Sequence, residues 1–130
     1  MDANILIVDD SSVMVNTLNS ILVSQGCRVH ACISGEAGWQ HLVAGAQGDL
    51  PVPDVLLLDL NMPGLDGMTL LSRIRSRERF ASMSVIVITA ETDSHIRTAA
   101  LGAGADDYLC KPVEVSELLA RVKLWSNGGR

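Results

Sequence analysis

The fold is most clearly indicated by Val55-Leu56-Leu57-Leu58-Asp59, a run of four apolar residues that ends in an aspartate. Three further runs of this kind end in reactive polar groups: Ile5–Val8 before Asp9 and Asp10, Val85–Ile88 before Thr89, and Tyr108–Cys110 before Lys111 and Pro112. Short apolar runs are typical of buried strands in a parallel sheet. The carboxyl ends of such strands lie along one edge, where α/β proteins place their sites, so we expect these polar side chains to gather there.

Segments with the apolar spacing of helices separate these runs along the chain. The predicted strands are Ile5–Val8, Arg28–Cys32, Val55–Leu58, Val85–Ile88 and Tyr108–Cys110. The predicted helices begin after a serine cap at Ser11 or Ser12, at about 35–43, 67–75 and 93–101, and near Val115. Their expected apolar faces comprise Val13, Met14, Leu18, Ile21 and Leu22 in the first helix and Val115, Leu118, Leu119 and Val122 in the last. The alternation predicts one α/β domain of (βα)5 type, with a doubly wound parallel sheet of five strands.

The order of the strands decides whether the polar ends meet. A flavodoxin-like order, 2-1-3-4-5, makes strands one and three neighbours at the topological switch point. Asp9 and Asp10 would then face Asp59. Sequence alone does not fix the strand order, so the meeting of the three carboxylates is a prediction that depends on it.

Composition and charge exclude several classes of function. The 130 residues suffice for one domain with a proper core, and the net charge of −5 leaves no basic stripe for nucleic acid. No apolar run approaches the ~20 residues of a membrane span, and the N-terminus lacks the pattern of a secretory signal. We therefore expect a cytoplasmic protein that binds neither membranes nor nucleic acid directly. The other candidate ligands lack metal-site spacing: Cys27, Cys32 and Cys110 are expected to be buried thiols, and His30, His41 and His95 to be scattered and solvated.

The polar groups at the predicted edge suit phosphoryl chemistry. Carboxylates packed together repel one another, so they favour a bound cation, and Mg²⁺ prefers oxygen ligands. An aspartate carboxylate can also act as a nucleophile toward phosphorus and form an acyl phosphate. The ammonium of Lys111 and the hydroxyl of Thr89 are suitable donors to phosphoryl oxygens.

Four motifs occur in a fixed order along the chain. They are Ile7-Val8-Asp9-Asp10-Ser11, Pro53–Gly67, Val87-Ile88-Thr89-Ala90 and Gly102–Pro112. Together they resemble the receiver domain of two-component response regulators, of the chemotaxis-regulator type, over residues 4–125. Each motif alone is weak, but the four in family order and at family spacing make a highly specific signal.

The resemblance implies how the acidic residues are used. Asp59 would be the phosphoacceptor. Asp10 and Asp59 would bind Mg²⁺ directly, and Asp9 would act mainly through bound water. Asn61 would contribute its backbone carbonyl to the metal, while its side chain is expected only to form the turn. The peptide bond before Pro112 is expected to be cis, as is usual in the family.

The same resemblance assigns the phosphoryl contacts and the switch. Thr89 would hydrogen-bond the phosphoryl group, Lys111 would pair with it, and Ala90 would keep its approach clear. Tyr108 matches an aromatic residue that turns inward on activation, although a half-buried packing tyrosine is a serious rival interpretation. Glu91, like Asn61, occupies a position that tunes the lifetime of the acyl phosphate in the family.

The implied function is that of a signalling switch rather than an enzyme. A histidine kinase or phosphotransfer protein would donate the phosphoryl group to Asp59, with Mg²⁺ as cofactor. The face formed by helix four, strand five and helix five would then change its binding to a protein partner or to a linked output domain. Dimerisation on activation is compatible with this role, but no residue pattern supports it. We expect the receiver to span residues 1–125 and to be followed by a polar tail, 126–130, which is either a frayed end or the start of a linker.

Two other functions stay open. A phosphorylation-independent interaction module could share the fold, but such relatives typically lose part of the acid cluster or the lysine. A hydrolase that forms an aspartyl phosphate needs a second aspartate two residues after the nucleophile, where this chain has Asn61. The stimulus, the cognate kinase and the type of output are not readable from this sequence.

Overall fold

The computed structural model describes residues 1–48 and 51–128 and contains five strands and five α-helices in strict alternation over that part of the chain. The strands are β1 Asn4–Val8, β2 Arg28–Cys32, β3 Val55–Leu58, β4 Ser84–Thr89 and β5 Asp107–Cys110. The helices are α1 Ser12–Ser24, α2 Gly35–Ala46, α3 Gly67–Arg75, α4 Ser94–Gly102 and α5 Val115–Ser126, with a short 3₁₀ turn at Glu78–Phe80. All strand pairs are parallel and the order is β2-β1-β3-β4-β5, so the predicted fold and strand order are confirmed.

The register of the sheet brings the polar strand ends to one level. Val8 pairs with Leu58, and Leu58 pairs with Val87. Asp9 and Asp59 therefore leave the sheet side by side, while β4 continues for two further residues to Thr89. Since all strands run the same way, these groups share one edge, as predicted.

Two apolar clusters, one on each face of the sheet, hold the helices in place. Alternate strand residues such as Leu56 and Leu58 pack with α2, α3 and α4, whereas Val55 and Leu57 pack with α1 and α5. The central residues of β1, β3 and β4 are buried on both sides, which is why those positions are apolar. None of the helices in the described residues combines the length and the hydropathy that a membrane span needs.

The predicted helices needed correction at three places: two residues expected to be buried are exposed, and one helix ends later than predicted. Val13 in α1 and Val115 in α5 are 75% and 48% exposed, and Val15 lies on the buried face instead of Val13. A 3.6-residue period puts Val15, not Val13, in line with Leu18 and Leu22, which explains the first error. Helix α2 continues to Ala46 rather than ending near residue 43, because Gly45 is buried and does not interrupt the helix. A loop is expected from Ala44 to Pro53, and its residues 49 and 50 lie outside the described residues.

Candidate functional site

Three carboxylates form the centre of the site, at the carboxyl edge of β1 and β3. The backbone N–H of Asp9 donates to Cys32 O at 3.1 Å, and that of Asp59 donates to Val8 O at 2.9 Å, so the sheet ladder fixes both residues. Asp9 and Asp59 are 2% and 5% exposed, whereas Asp10 faces solvent. One carboxylate oxygen from each of the three lies within 4.8 Å of the other two. An all-oxygen cluster of this size, with one side open to water, fits a hard divalent cation such as Mg²⁺.

Lys111 brings a positive charge into this cluster from β5. Its Nζ lies 2.9 Å from Asp9 Oδ2 and 3.4 Å from Asp59 Oδ2. Its backbone N–H donates to Thr89 O at 2.8 Å, which anchors the end of β5 to the end of β4. The Lys111–Pro112 peptide bond is cis, as expected.

Burial and neighbouring charges shift the pKa values of Asp59 and Lys111. Burial raises the pKa of Asp59, and the neighbouring charge of Asp9 raises it further, against the opposing effects of the Asn61 N–H and Lys111. Burial alone would lower the pKa of Lys111, but the hydrogen bond and charge of Asp9, together with Asp59, outweigh burial and leave that pKa raised. The lysine therefore stays an ammonium, while the Asp59 carboxylate is more basic than an ordinary aspartate.

Thr89 is fully buried at the end of β4, and its hydroxyl oxygen accepts two long hydrogen bonds. The donors are the backbone N–H of Glu91 at 3.3 Å and Nδ2 of Asn61 at 3.4 Å. The backbone N–H of Asn61 donates to Asp59 Oδ1 at 3.3 Å. Asn61 therefore lies between the acidic cluster and Thr89, so its side chain does more than form the turn that the sequence suggested. Bonds of this length are weak and easily exchanged for better partners.

Tyr108 connects β5 with the segment that follows Thr89. Its side chain is 5% exposed, and its hydroxyl donates to Glu91 O at 2.7 Å. Because the N–H of Glu91 also donates to Thr89, a chain of contacts runs from Thr89 through Glu91 to Tyr108. The guanidinium of Arg97 in α4 lies 5.8 Å from the centre of the tyrosine ring. The tyrosine is thus buried rather than half-buried and is linked by hydrogen bonds to the site, and its role in switching stays a prediction. Ala90, between Thr89 and Glu91, is exposed.

The expectation for one cysteine was wrong: Cys110 is exposed, because β5 has only two buried positions before it ends. The three histidines lie on different elements, and His30 and His95 are exposed, as expected. The rings of His30 and His41 nevertheless stack with centroids 3.9 Å apart, since α2 crosses over β2. Burial, followed by the charge of His30, lowers the pKa of His41. Neither Cys110 nor the His30–His41 pair belongs to the acidic cluster.

Sequence reasoning overlooked two residues whose side chains join separate loops: Arg75 at the amino edge of the sheet and Glu36 at the carboxyl edge, where the site lies. Arg75 donates to the carbonyl oxygens of Gly104, Phe80 and Met83, at 2.9, 3.0 and 2.8 Å, and pairs with Asp106 at 3.0 Å. Glu36 at the start of α2 accepts from the N–H of Leu65 in the loop after Asp59. The Arg75–Gly104 and Glu36–Leu65 hydrogen bonds each join residues 29 positions apart, and no local sequence signal marks them.

Comparison with known proteins agrees with this geometry. The family model of the response regulator receiver domain matches residues 5–123. The DNA-binding dual master transcriptional regulator RpaA of Synechocystis sp. is 37% identical over 119 residues, which cover 92% of this chain and 47% of that protein. The chain thus spans about half the length of the curated relatives it matches.

Solved structures of similar sequence share the fold over nearly the whole chain. The receiver domain of the sensor histidine kinase PA1611 from Pseudomonas aeruginosa, solved with a magnesium ion coordinated in its active site cleft, is 29% identical with a TM-score of 0.82. The alignment covers 98% of this chain and 99% of that one. A CheY-like response regulator receiver domain protein from Methanospirillum hungatei JF-1 is 26% identical with a TM-score of 0.83, over 99% and 97% of the two chains.

Proposed function

Because the chain belongs to the response regulator receiver domain family of two-component signalling, we propose that it is a switch whose Asp59 accepts a phosphoryl group. The observation that carries the proposal is the position of Lys111. Its ammonium lies between two buried carboxylates, 2.9 Å from Asp9 and 3.4 Å from Asp59, at an edge where Asp10 and Thr89 also converge. The phosphodonor would be the phosphohistidine of a kinase or of a phosphotransfer protein.

The chemistry asks little of the chain beyond a nucleophile and well-placed donors. A carboxylate oxygen of Asp59 attacks phosphorus, while the bond from phosphorus to the donor imidazole breaks and the imidazole keeps the electron pair. The raised pKa of Asp59, caused by burial and then by Asp9, makes its carboxylate a stronger nucleophile than a solvated aspartate. Lys111 and Thr89 are placed to donate to the phosphoryl oxygens.

The acidic cluster is the proposed holder of Mg²⁺. Asp10 and Asp59 would be direct ligands, Asp9 would act through water, and the backbone carbonyl of Asn61 would complete the protein's share. When bound there, the cation would offset the negative charge of both the carboxylates and the phosphoryl oxygens. The spacing of the three carboxylates, all within 4.8 Å, supports this assignment.

The weak hydrogen bonds of Thr89 provide a route from the site to the surface. Both observed partners donate to the Thr89 oxygen, so the hydroxyl proton is free to be donated to a phosphoryl oxygen on Asp59, and the Thr89 O–H turns toward it. Glu91, which contacts Thr89 and holds Tyr108, then shifts the population of conformations of the α4–β5–α5 face. That face would bind a downstream partner or an output domain, with dimerisation as one form of the response. We assign the receiver to residues 1–125 and the polar tail to 126–130.

The test is the intact mass of the protein after incubation with acetyl phosphate, with and without Mg²⁺. We expect the wild type to gain one phosphoryl group only in the presence of Mg²⁺, and Asp59→Asn to gain none. Asp54→Asn is a matched control, because Asp54 is exposed and precedes β3 at the opposite edge of the sheet. Uptake that survives in Asp59→Asn would refute the assignment.

A wild type that gains no mass and binds no beryllofluoride would favour the phosphorylation-independent interaction module. If the wild type is labelled, the persistence of the acyl phosphate after removal of the donor is followed in Asn61→Ala and Glu91→Ala. Both positions flank the phosphorylated residue or its threonine, so we expect a changed lifetime with little change in the extent of labelling.

A further inference from the structure

The start of α2 carries a glutamate that reaches across to the loop following Asp59. Oε1 of Glu36 accepts a hydrogen bond from the backbone N–H of Leu65 at 2.8 Å. Leu65 lies between β3 and α3, in the same loop as Asn61. The bond joins positions 29 residues apart in sequence, so it exists only because the fold brings the two segments together.

The two segments fit so closely that each needs a glycine at the contact. A Cβ at Gly35 would lie 2.1 Å from Leu65 O, and a Cβ at Gly64 would lie 2.4 Å from Glu36 Oε1. Gly64 also has a φ of +75°, in the left-handed region that favours glycine. The Glu36 side chain is exposed, but its carboxylate lies against Gly64, and the close approach of Gly35 to the Leu65 backbone holds the two segments together at this contact.

The C-terminal end of the same loop packs against the backbone of Asp59, the proposed phosphoacceptor. The N–H of Gly67 donates to Leu60 O at 3.1 Å. A Cβ at Gly67 would lie 2.3 Å from Asp59 O, so α3 begins in direct contact with the backbone of Asp59. The segment 61–63 thus lies within a loop that is held by two hydrogen bonds, one between Gly67 and Leu60 and one between Leu65 and Glu36.

We propose that Glu36 is a positioning residue for the phosphorylation site. By fixing the backbone at Leu65 and Gly64, its carboxylate sets the path of the loop and so the place of the Asn61 carbonyl beside Asp59. The inference rests on the proposed function, since it concerns how this loop is prepared for Mg²⁺. The N–H of Asn61 lies 3.3 Å from Asp59 Oδ1, so a change in the path of this loop would alter that contact.

Charge and reach can be separated at this position by the choice of substitution. Glutamine keeps an acceptor oxygen at the same distance along the side chain but has no charge. Aspartate keeps the charge but is one methylene shorter and does not reach Leu65. Alanine removes both. Gln40 lies exposed one turn further along α2, so Gln40→Ala is the matched control for a change on the same helix.

The primary measurement is the affinity of the unphosphorylated protein for Mg²⁺, determined by titration calorimetry. We expect Glu36→Ala and Glu36→Asp to weaken binding by about three- to tenfold, less than the 10- to 100-fold typical of partners that orient metal ligands directly. Glu36→Gln should stay within about twofold of the wild type, because a neutral oxygen also accepts the Leu65 hydrogen bond. Gln40→Ala should bind as the wild type does. Thermal unfolding in EDTA is recorded for each variant as the readout of stability.

The outcomes separate positioning from two simpler roles. If Glu36→Gln loses as much affinity as Glu36→Ala, the carboxylate acts through its charge and the proposal is overturned. If Glu36→Ala lowers the unfolding temperature yet binds Mg²⁺ as the wild type does, the contact is only structural, and the proposal is overturned again. A wild type that binds Mg²⁺ and takes up phosphate beside an unchanged Glu36→Ala refutes this inference alone. A wild type that does neither refutes the proposed function as well.

Discussion

Asp59→Asn should make the metal-free protein more stable while abolishing phosphorylation. The reason is the balance of charges around Asp59. At an effective dielectric constant of about 20, its carboxylate is repelled by Asp9 by at least ~3.5 kcal/mol, since their oxygens lie within 4.8 Å. On the same scale, the ammonium of Lys111 at 3.4 Å attracts it by about 5 kcal/mol.

The remaining contributions make the ionised form of Asp59 unfavourable in the folded, metal-free protein. Asp10 is exposed, so its repulsion at up to 4.8 Å is screened as in water and adds only about 1 kcal/mol. The two repulsions together nearly cancel the attraction, and the cost of removing a carboxylate from water is left without compensation. That cost is several kcal/mol for a buried ion, and an asparagine of the same shape avoids most of it. We therefore expect Asp59→Asn to raise the free energy of unfolding by about 2 kcal/mol, or the melting temperature by about 5–10 °C.

Urea unfolding in EDTA, followed by the fluorescence of Trp39 and Trp125, measures this difference. Its pH dependence has a defined sign. Because the folded protein raises the pKa of Asp59 above the unfolded value, the wild type binds an extra proton on folding as the pH falls through that raised pKa. The advantage of the variant should thus be full above the raised pKa and vanish below the ordinary value. A variant less stable than the wild type at neutral pH would show that the attraction of Lys111 dominates, and would refute this reasoning.

Three further substitutions test other parts of the structure. Lys111→Met removes the cation that competes for Asp9, so Mg²⁺ affinity measured by calorimetry should rise by up to about tenfold. In the same variant, adding beryllofluoride should no longer change the fluorescence or the solvent exposure of Tyr108. Tyr108→Phe leaves the Glu91 carbonyl without its 2.7 Å donor and should lower the free energy of unfolding by about 1 kcal/mol in urea. Asp107→Asn should cost about 1–3 kcal/mol at pH 7, because hydrogen bonds from α5 outweigh burial and lower the pKa of that carboxyl. The cost should shrink as the pH falls below the ordinary aspartate pKa and through the lowered one; a cost that does not change with pH would mean that the charge of Asp107 is not involved.

The hydrogen bonds of Asp107 explain why the last helix is well anchored despite its exposed start. Oδ1 accepts from Arg121 at 2.6 Å, and Oδ2 accepts from Trp125 Nε1 at 2.9 Å. Burial would raise the pKa of Asp107, but these donors and the N–H of Tyr108 lower it instead. The final turn of α5 is therefore tied directly to β5, one residue before the tyrosine of the proposed switch.

The parts of the fold that sequence predicted correctly depend on local patterns. All strands except β2, which reads Arg-Val-His-Ala-Cys, are marked by a short apolar run, and the parallel direction of the strands follows from the helices between them. The carboxyl ends of β1, β3 and β4 then had to share an edge, which is why Asp9, Asp59 and Thr89 were predicted to meet. Val13 and Val115 misled the prediction because each lies in the first turn of its helix, where an apolar residue can remain exposed.

The contacts that were not predicted join distant segments by polar side chains. Nothing near Arg75 indicates that it will bind three carbonyl oxygens and Asp106, because those acceptors converge only after β4, β5 and α3 have packed. The same holds for Glu36, whose partner is set by the path of a loop 29 residues away. The stacking of His30 on His41 likewise depends on where α2 crosses β2. A hydrophobic pattern predicts which face is buried, but not which polar groups then find partners.

The same electrostatic energy links the stability of this protein to its proposed function. With all groups ionised, Asp9, Asp10, Asp59 and Lys111 place three negative charges and one positive charge at one edge of the sheet. Repulsion within this group lowers the stability of the metal-free fold, and a divalent cation that relieves it binds the folded state preferentially. Asp59→Asn should therefore weaken Mg²⁺ binding in the same experiment that raises metal-free stability, since it removes both the repulsion and a ligand. If stability rose without any loss of Mg²⁺ affinity, Asp59 would not be a ligand, and Asp9 and Asp10 would have to hold the cation without it.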